Sequence, residues 1–182
     1  MGIARNIARL IPNGSGLLPN ANIEAVAASK LTGQVPDANA PSGSVIQVVQ
    51  TTYSTNVSTS SSSNIDTGLN ASITPISASN KILIMCAPTF RASSPSSTSD
   101  AFVYGILWRG AIGSGTSLLN YYAMIGTRSS DFRSVPNMVY LDSPATSSSV
   151  TYRISMNSQN ASSVEINAGT TPSIIILMEI AA

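Results

Sequence analysis

An antiparallel β-sandwich of jelly-roll type is the fold class this chain predicts, on three observations. Its apolar residues recur in short runs, either alternating with polar ones or β-branched throughout, the pattern of strands rather than helices. Segments rich in Ser, Thr, Gly and Pro separate these runs. Charged residues make up only 9% of the 182 residues, against about 25% in an ordinary soluble domain. Ser, Thr, Asn and Gly therefore carry the solubility, which suits many short strands and argues against a helical enzyme. A chain of this length buries roughly 70% of its unfolded surface and needs neither disulfide nor metal to hold together.

Residues 1–11 read as a short amphipathic helix. Ile3, Ile7 and Leu10 share one face while Arg5 and Arg9 form an i, i+4 pair on another, and Pro12 with Asn13-Gly14 stops it. A helix this short is marginal alone. It is expected to order on docking, which makes Ile3, Arg5, Ile7, Arg9 and Leu10 the candidate anchoring residues; a frayed terminus and a membrane-surface helix are the alternatives. The sparse apolar residues that follow, Leu17 to Val35, are broken by Gly33, Pro36, Pro41 and Gly43 and build no core of their own. Residues 1–44 are thus expected to be a helix and an extended arm that wraps neighbours or docks on a partner, the alternative being a disordered linker. Residues 45–182 form the β domain.

Within that domain the expected strands are Val45–Tyr53, Leu69–Thr74, Lys81–Ala87, Ala101–Arg109, Leu118–Ile125, Met138–Leu141, Val150–Met156, Val164–Ile166 and Ser173–Ile180. The Ser/Thr run from Ser58 to Ser63 is expected in solvent. About eight strands at short spacing without intervening helices define a sandwich or jelly roll. Two of them, Lys81–Ala87 and Ser173–Ile180, are apolar on both faces. One face enters the core and the other needs a second layer, so a homo-oligomer, a trimer first, is inferred. In the last strand Ile174, Ile176, Met178 and Ile180 share one face and Ile175, Leu177 and Glu179 the other. The second set is placed at the trimer interface, with Glu179 meeting an arginine such as Arg109 or Arg153.

The catalytic inventory is thin. The chain has no histidine and one cysteine, which removes Ser-His-Asp and Cys-His catalysis and histidine- or thiolate-based metal sites. No cofactor or metal is expected, and Cys86 reads as a core residue. The glycines at 110, 113 and 115 have phosphate-loop spacing, but Thr116 stands where the lysine is needed, so a hairpin loop is expected. No two of the eight acidic residues share a local motif for glycoside hydrolysis. Nine basic residues are scattered, with a net charge of +1, leaving no stripe for nucleic acid. Neither a membrane span of about 20 apolar residues nor a secretory signal is evident. What remains for recognition is the loops and the side chains near them: Arg91, Tyr121, Tyr122, Arg128, Phe132 and Arg133. Trp108 is read as core or interface.

Several segments, taken as an ordered series, resemble the distal domain of tail-fibre proteins of tailed bacteriophages, especially those of marine and cyanobacterial hosts. They are residues 43–50 (Gly-Ser-Val-Ile-Gln-Val-Val-Gln), 66–69 (Asp-Thr-Gly-Leu), 73–75 (Ile-Thr-Pro) and 79–84 (Ser-Asn-Lys-Ile-Leu-Ile). The series continues with 107–110 (Leu-Trp-Arg-Gly), 140–144 (Tyr-Leu-Asp-Ser-Pro) and 177–180 (Leu-Met-Glu-Ile). The resemblance spans about residues 43–182, and residues 28–36 look like a fibre linker. It implies a homotrimeric virion protein, a short tail fibre whose arm attaches to a tail or baseplate protein and whose β domain binds a host surface glycan or protein. A purely structural capsid-decoration or baseplate protein and a polysaccharide-degrading tailspike are the alternatives. Residues 1–11 match nothing in that family, so their anchoring role rests on the physical argument.

Overall fold

The computed structural model of the chain describes residues 40–93, 101–125, 132–169 and 171–182. The chain divides into two units, Met1–Val35 and Pro36–Ala182, and every described element belongs to the second. The expected helix and most of the arm, with Ile3, Arg5, Ile7, Arg9 and Leu10, lie outside the described residues, as does Arg128.

The described residues form twelve strands: β1 (Val45–Tyr53), β2 (Val57–Thr59), β3 (Ile65–Ile73), β4 (Lys81–Ala87), β5 (Phe90–Ser93), β6 (Ala101–Arg109), β7 (Thr116–Ile125), β8 (Phe132–Ser134), β9 (Met138–Asp142), β10 (Val150–Gln159), β11 (Ser163–Ile166) and β12 (Ser173–Ile180). They make three antiparallel sheets. The first runs β1-β12-β4-β9, the second β3-β10-β6-β7 and the third β2-β11-β5-β8. The third repeats the order of the first, partner for partner. β1 bends into β2, β4 into β5, β8 into β9 and β11 into β12 across short connections. With each bent pair counted as one strand, the chain makes eight, ordered 1-8-3-6 in one sheet and 2-7-4-5 in the other. That order is two nested Greek keys, the jelly roll. The expected all-β sandwich is what the chain forms.

The core lies between the sheets. Ile82, Ile84, Ile175 and Leu177 enter from the first, Leu69, Leu107, Tyr152, Ile154 and Met156 from the second, and Phe90, Val164 and Ile166 from the third, each fully buried. Gly105 on β6 is open enough for the Phe90 ring to lie against it, since an added Cβ would stand 3.0 Å from that ring. Gly68 sits in a bulge of β3 with φ +83°, and its N–H is received by the Asp66 carboxylate at 2.8 Å. A side chain there would collide with the Tyr53 hydroxyl, so glycine is required on two counts.

The Ser/Thr run lies in solvent as expected, with every residue of 58–63 but Thr59 exposed, although Ser58 and Thr59 also belong to β2, paired with β11, and Ser61 O accepts from Ser158 N at 2.8 Å. One expectation is corrected. Ile175, Leu177 and Glu179 do not face a neighbouring chain, because all three are fully buried inside their own. The core must take the face that carries the larger opposing layer, and Glu179 can enter with it because polar partners meet it there. It is Ile174, Ile176, Met178 and Ile180 that point outward, half-buried by their neighbours in the sheet.

Candidate functional site

Four features have the chemistry to matter: two buried carboxylates, a polar groove and an apolar sheet face. Glu179, near the end of β12, is wholly buried. Its Oε1 accepts from Asn80 Nδ2 at 2.6 Å and from Ile76 N at 2.8 Å, and its Oε2 from Gln47 Nε2 at 2.5 Å. Gln47 reaches this place from β1, directly opposite Glu179 in register, and its amide also donates to Thr74 O at 2.8 Å. Desolvation pulls the carboxyl upward, but the hydrogen bonds from Gln47, Asn80 and the Ile76 and Ser77 backbone outweigh it and hold the group below its ordinary range. No arginine among the described residues takes part: Arg109 pairs with Asp142 and Arg153 with Asp66.

Asp142, at the end of β9, is the second centre. Arg109 Nη1 donates to its two oxygens at 2.9 and 3.0 Å, and the buried Tyr152 hydroxyl donates at 2.7 Å. Burial pushes the Tyr152 phenol well above its ordinary value of 10; its hydrogen bond to Asp142 and the nearby negative charge add to this. Beside this centre lies a groove of about 560 Å³, lined by Asp66, Arg109, Ile112, Thr146, Thr151 and Arg153 among others. Arg153 Nη1 stands 3.3 Å from Asp66, with both side chains partly exposed. Its lining mixes charged and hydroxyl groups with apolar ones such as Ile112 and Pro144, a surface suited to a ligand with both polar and apolar parts, such as a sugar.

The recognition candidates fall in two places. Arg91 on β5 and Arg133 on β8 are directly opposite each other. Arg91 Nη1 donates to Glu165 at 2.8 Å, Arg133 donates to Ala168 O, and Phe132 is exposed nearby. Tyr121 and Tyr122 lie on β7 in the second sheet. Tyr121 packs against the core, while Tyr122 is 65% exposed and its ring stands 4.2 Å from that of Tyr104. Trp108 is buried, as read, with its indole N–H on Ser155 Oγ at 2.8 Å. The residues of positions 110–117 form the β6–β7 hairpin, closed by Gly115 N on Ala111 O at 2.7 Å. Cys86 is buried, its thiol pushed up to about 12 by desolvation. Among the described residues no three His, Cys, Asp or Glu side chains gather to hold a metal.

Sequence reasoning missed the outer face of the first sheet as a unit. Register places Val48, Met178, Leu83 and Leu141 in one cross-strand row, and Gln50, Ile176, Met85 and Val139 in the next. The signal lay in β9, where Val139 and Leu141 alternate with buried Met138 and Asp142: a short strand greasy on its wet side.

No protein-family model matches the chain, and no curated protein matches it. Similar solved structures include VP2 of infectious bursal disease virus in a subviral particle, at TM-score 0.37 and 10% identity over 75% of this chain and 38% of that one. The Gx strain of the same virus gives TM-score 0.37 and 16% identity over 75% of this chain and 37% of that one. The chain spans well under half the length of these proteins. Likeness at this level carries no argument here, and the jelly roll stands on strand order alone.

Proposed function

We propose that this chain is a structural component of a phage virion, assembled as a homotrimer, held by its N-terminal arm and displaying the jelly roll as a short tail fibre. The observation that carries this reading is where the fibre-like segments meet. Residues 43–50, 79–84 and 177–180 supply Gln47, Asn80 and Glu179 to the first carboxylate centre, and residues 73–75 supply Thr74. Residues 107–110 and 140–144 supply Arg109 and Asp142 to the second. Segments far apart in sequence thus converge on the two polar contacts that close this jelly roll, which supports a common architecture rather than a chance of composition.

In the finer reading the β domain binds a host surface glycan or protein without catalysis, with the groove beside Arg109 and Arg153 as the place for a polar ligand. Each described acidic side chain is already engaged: Asp66 with Arg153, Asp142 with Arg109 and Tyr152, Glu165 with Arg91, and Glu179 with amides. That favours a binder over a polysaccharide-degrading tailspike, and a reducing-sugar assay on host surface glycan should show no release. The purified protein should compete with phage for adsorption, and Arg153→Ala should weaken that competition. Adsorption unaffected by excess protein would move the reading to a capsid-decoration or baseplate protein. That second reading is favoured by one observation: Arg91 and Arg133 are tied to internal partners, so the predicted recognition residues do not converge on a cleft.

A further inference from the structure

We infer that the outer face of the first sheet is the surface through which copies of this chain associate; the inference rests on the homotrimer of the proposed function and gives it a place. Five of the nine exposed large apolar side chains among the described residues lie on this face: Val45, Val48, Met85, Val139 and Leu141. Val48 is 57% exposed and Val139 53%, although they stand on opposite edge strands with Ile176 and Met178 between them. The exposure therefore runs across all four strands. A depression of about 360 Å³ lined by Met85, Val139, Ile174 and Ile176 among others gives the face relief.

Area and charge choose the occupant. Four strands about 4.8 Å apart and seven residues at about 3.4 Å per residue give a face of roughly 450 Å² in projection. An apolar patch of a few hundred Å² on a monomer marks an interaction site. This one has the size of the apolar core of a standard interface, which takes about 800 Å² per partner with its polar rim. Gln50, Thr52 and Asn137 stand where such a rim would be. The face carries one ionisable side chain, Lys81, at its end, so it asks for no partner of opposite charge. An apolar and nearly uncharged face suits the same face of two further copies, all three turned toward a shared three-fold axis, and symmetric self-association is the common way such a surface is covered. Met85 and Met178 supply side chains that adapt to the opposing copy.

The test uses the full chain, size-exclusion chromatography with light scattering, and circular dichroism. Wild type should have three times the 18.8 kDa of one chain. V48E/V139E should run as one chain with an unchanged β spectrum, because both positions are exposed on edge strands in the single chain. Leu141→Lys should do the same independently, and Tyr122→Glu on the second sheet should remain a trimer. A trimer that survives both face variants overturns the inference and leaves the homotrimer standing. If deletion of residues 1–39 alone gives single chains while the face variants stay trimeric, the arm is the assembling element and the inference also fails. A wild type of one chain overturns the trimer itself.

Discussion

The two buried carboxylates hold the same kind of charge in opposite ways. Glu179 is surrounded by neutral donors: two side-chain amides and backbone N–H groups. Asp142 is met by a guanidinium and a phenol. The first arrangement needs several well-aimed dipoles, one from β1 and the rest from the β3–β4 connection, so it pins β1, that connection and β12 together at one end of the first sheet. The second joins β6 and β10 of one sheet to β9 of the other with fewer partners. An amide cage fails when its anion is lost. A cation–phenol pair fails when either partner is lost.

The largest expected effect is therefore at Glu179. Glu179→Ala leaves Asn80 Nδ2 and Ile76 N without their acceptor in a buried place and should cost about 3–5 kcal/mol in urea unfolding. Arg109→Ala should cost less, about 2 kcal/mol, because its guanidinium is partly exposed and water replaces some of it. A loss at Arg109 equal to that at Glu179 would erase the distinction between the two centres. Tyr152→Phe removes one hydrogen bond to a charged group and should cost about 1.5 kcal/mol. The exposed pair sets the baseline: Arg153→Ala should change stability by no more than about 0.5 kcal/mol.

Acid and alkali separate the centres. Glu179 is held below its ordinary value of 4.5 in the folded chain. Its contribution is full above that value and is lost as pH falls through the lowered one, as protons bind the unfolded chain first. Tyr152 is raised above 10, so its contribution is full below pH 10 and is lost as pH rises through the raised value. Unfolding midpoints against pH should show the acid limb shrink in Glu179→Gln and the alkaline limb shrink in Tyr152→Phe. Crossed effects would contradict the assignment.

Periodicity made the long strands legible. β12, β4, β6 and β10 each keep a clear period or a β-branched run, and both doubly apolar strands are central in the first sheet. The short strands β2, β5 and β8 were not legible, because three or four residues carry no period and their pairing comes from partners far along the chain, such as Val57 with Ile166. Period two also tells which side chains of β12 travel together but not which set is inside. The acid suggested a wet or shared face, yet its partners were amides supplied across sequence separations of 99 to 132 residues. Gln47 in an apolar strand and Asn80 at the head of β4 were the available hints. The two arginines near β5 and β8 looked free in sequence for the same reason: Glu165 and Ala168, which hold them, lie 74 and 35 residues away.

Methionine oxidation reads the assembly face most directly, since Met85 is 40% exposed in the single chain and lies at the centre of the apolar surface. Under dilute peroxide, peptide mass spectrometry should find Met85 oxidised at least about tenfold more slowly in the wild-type assembly than in V48E/V139E, with buried Met156 slow in both. Equal rates at Met85 in the two proteins would contradict association through this face.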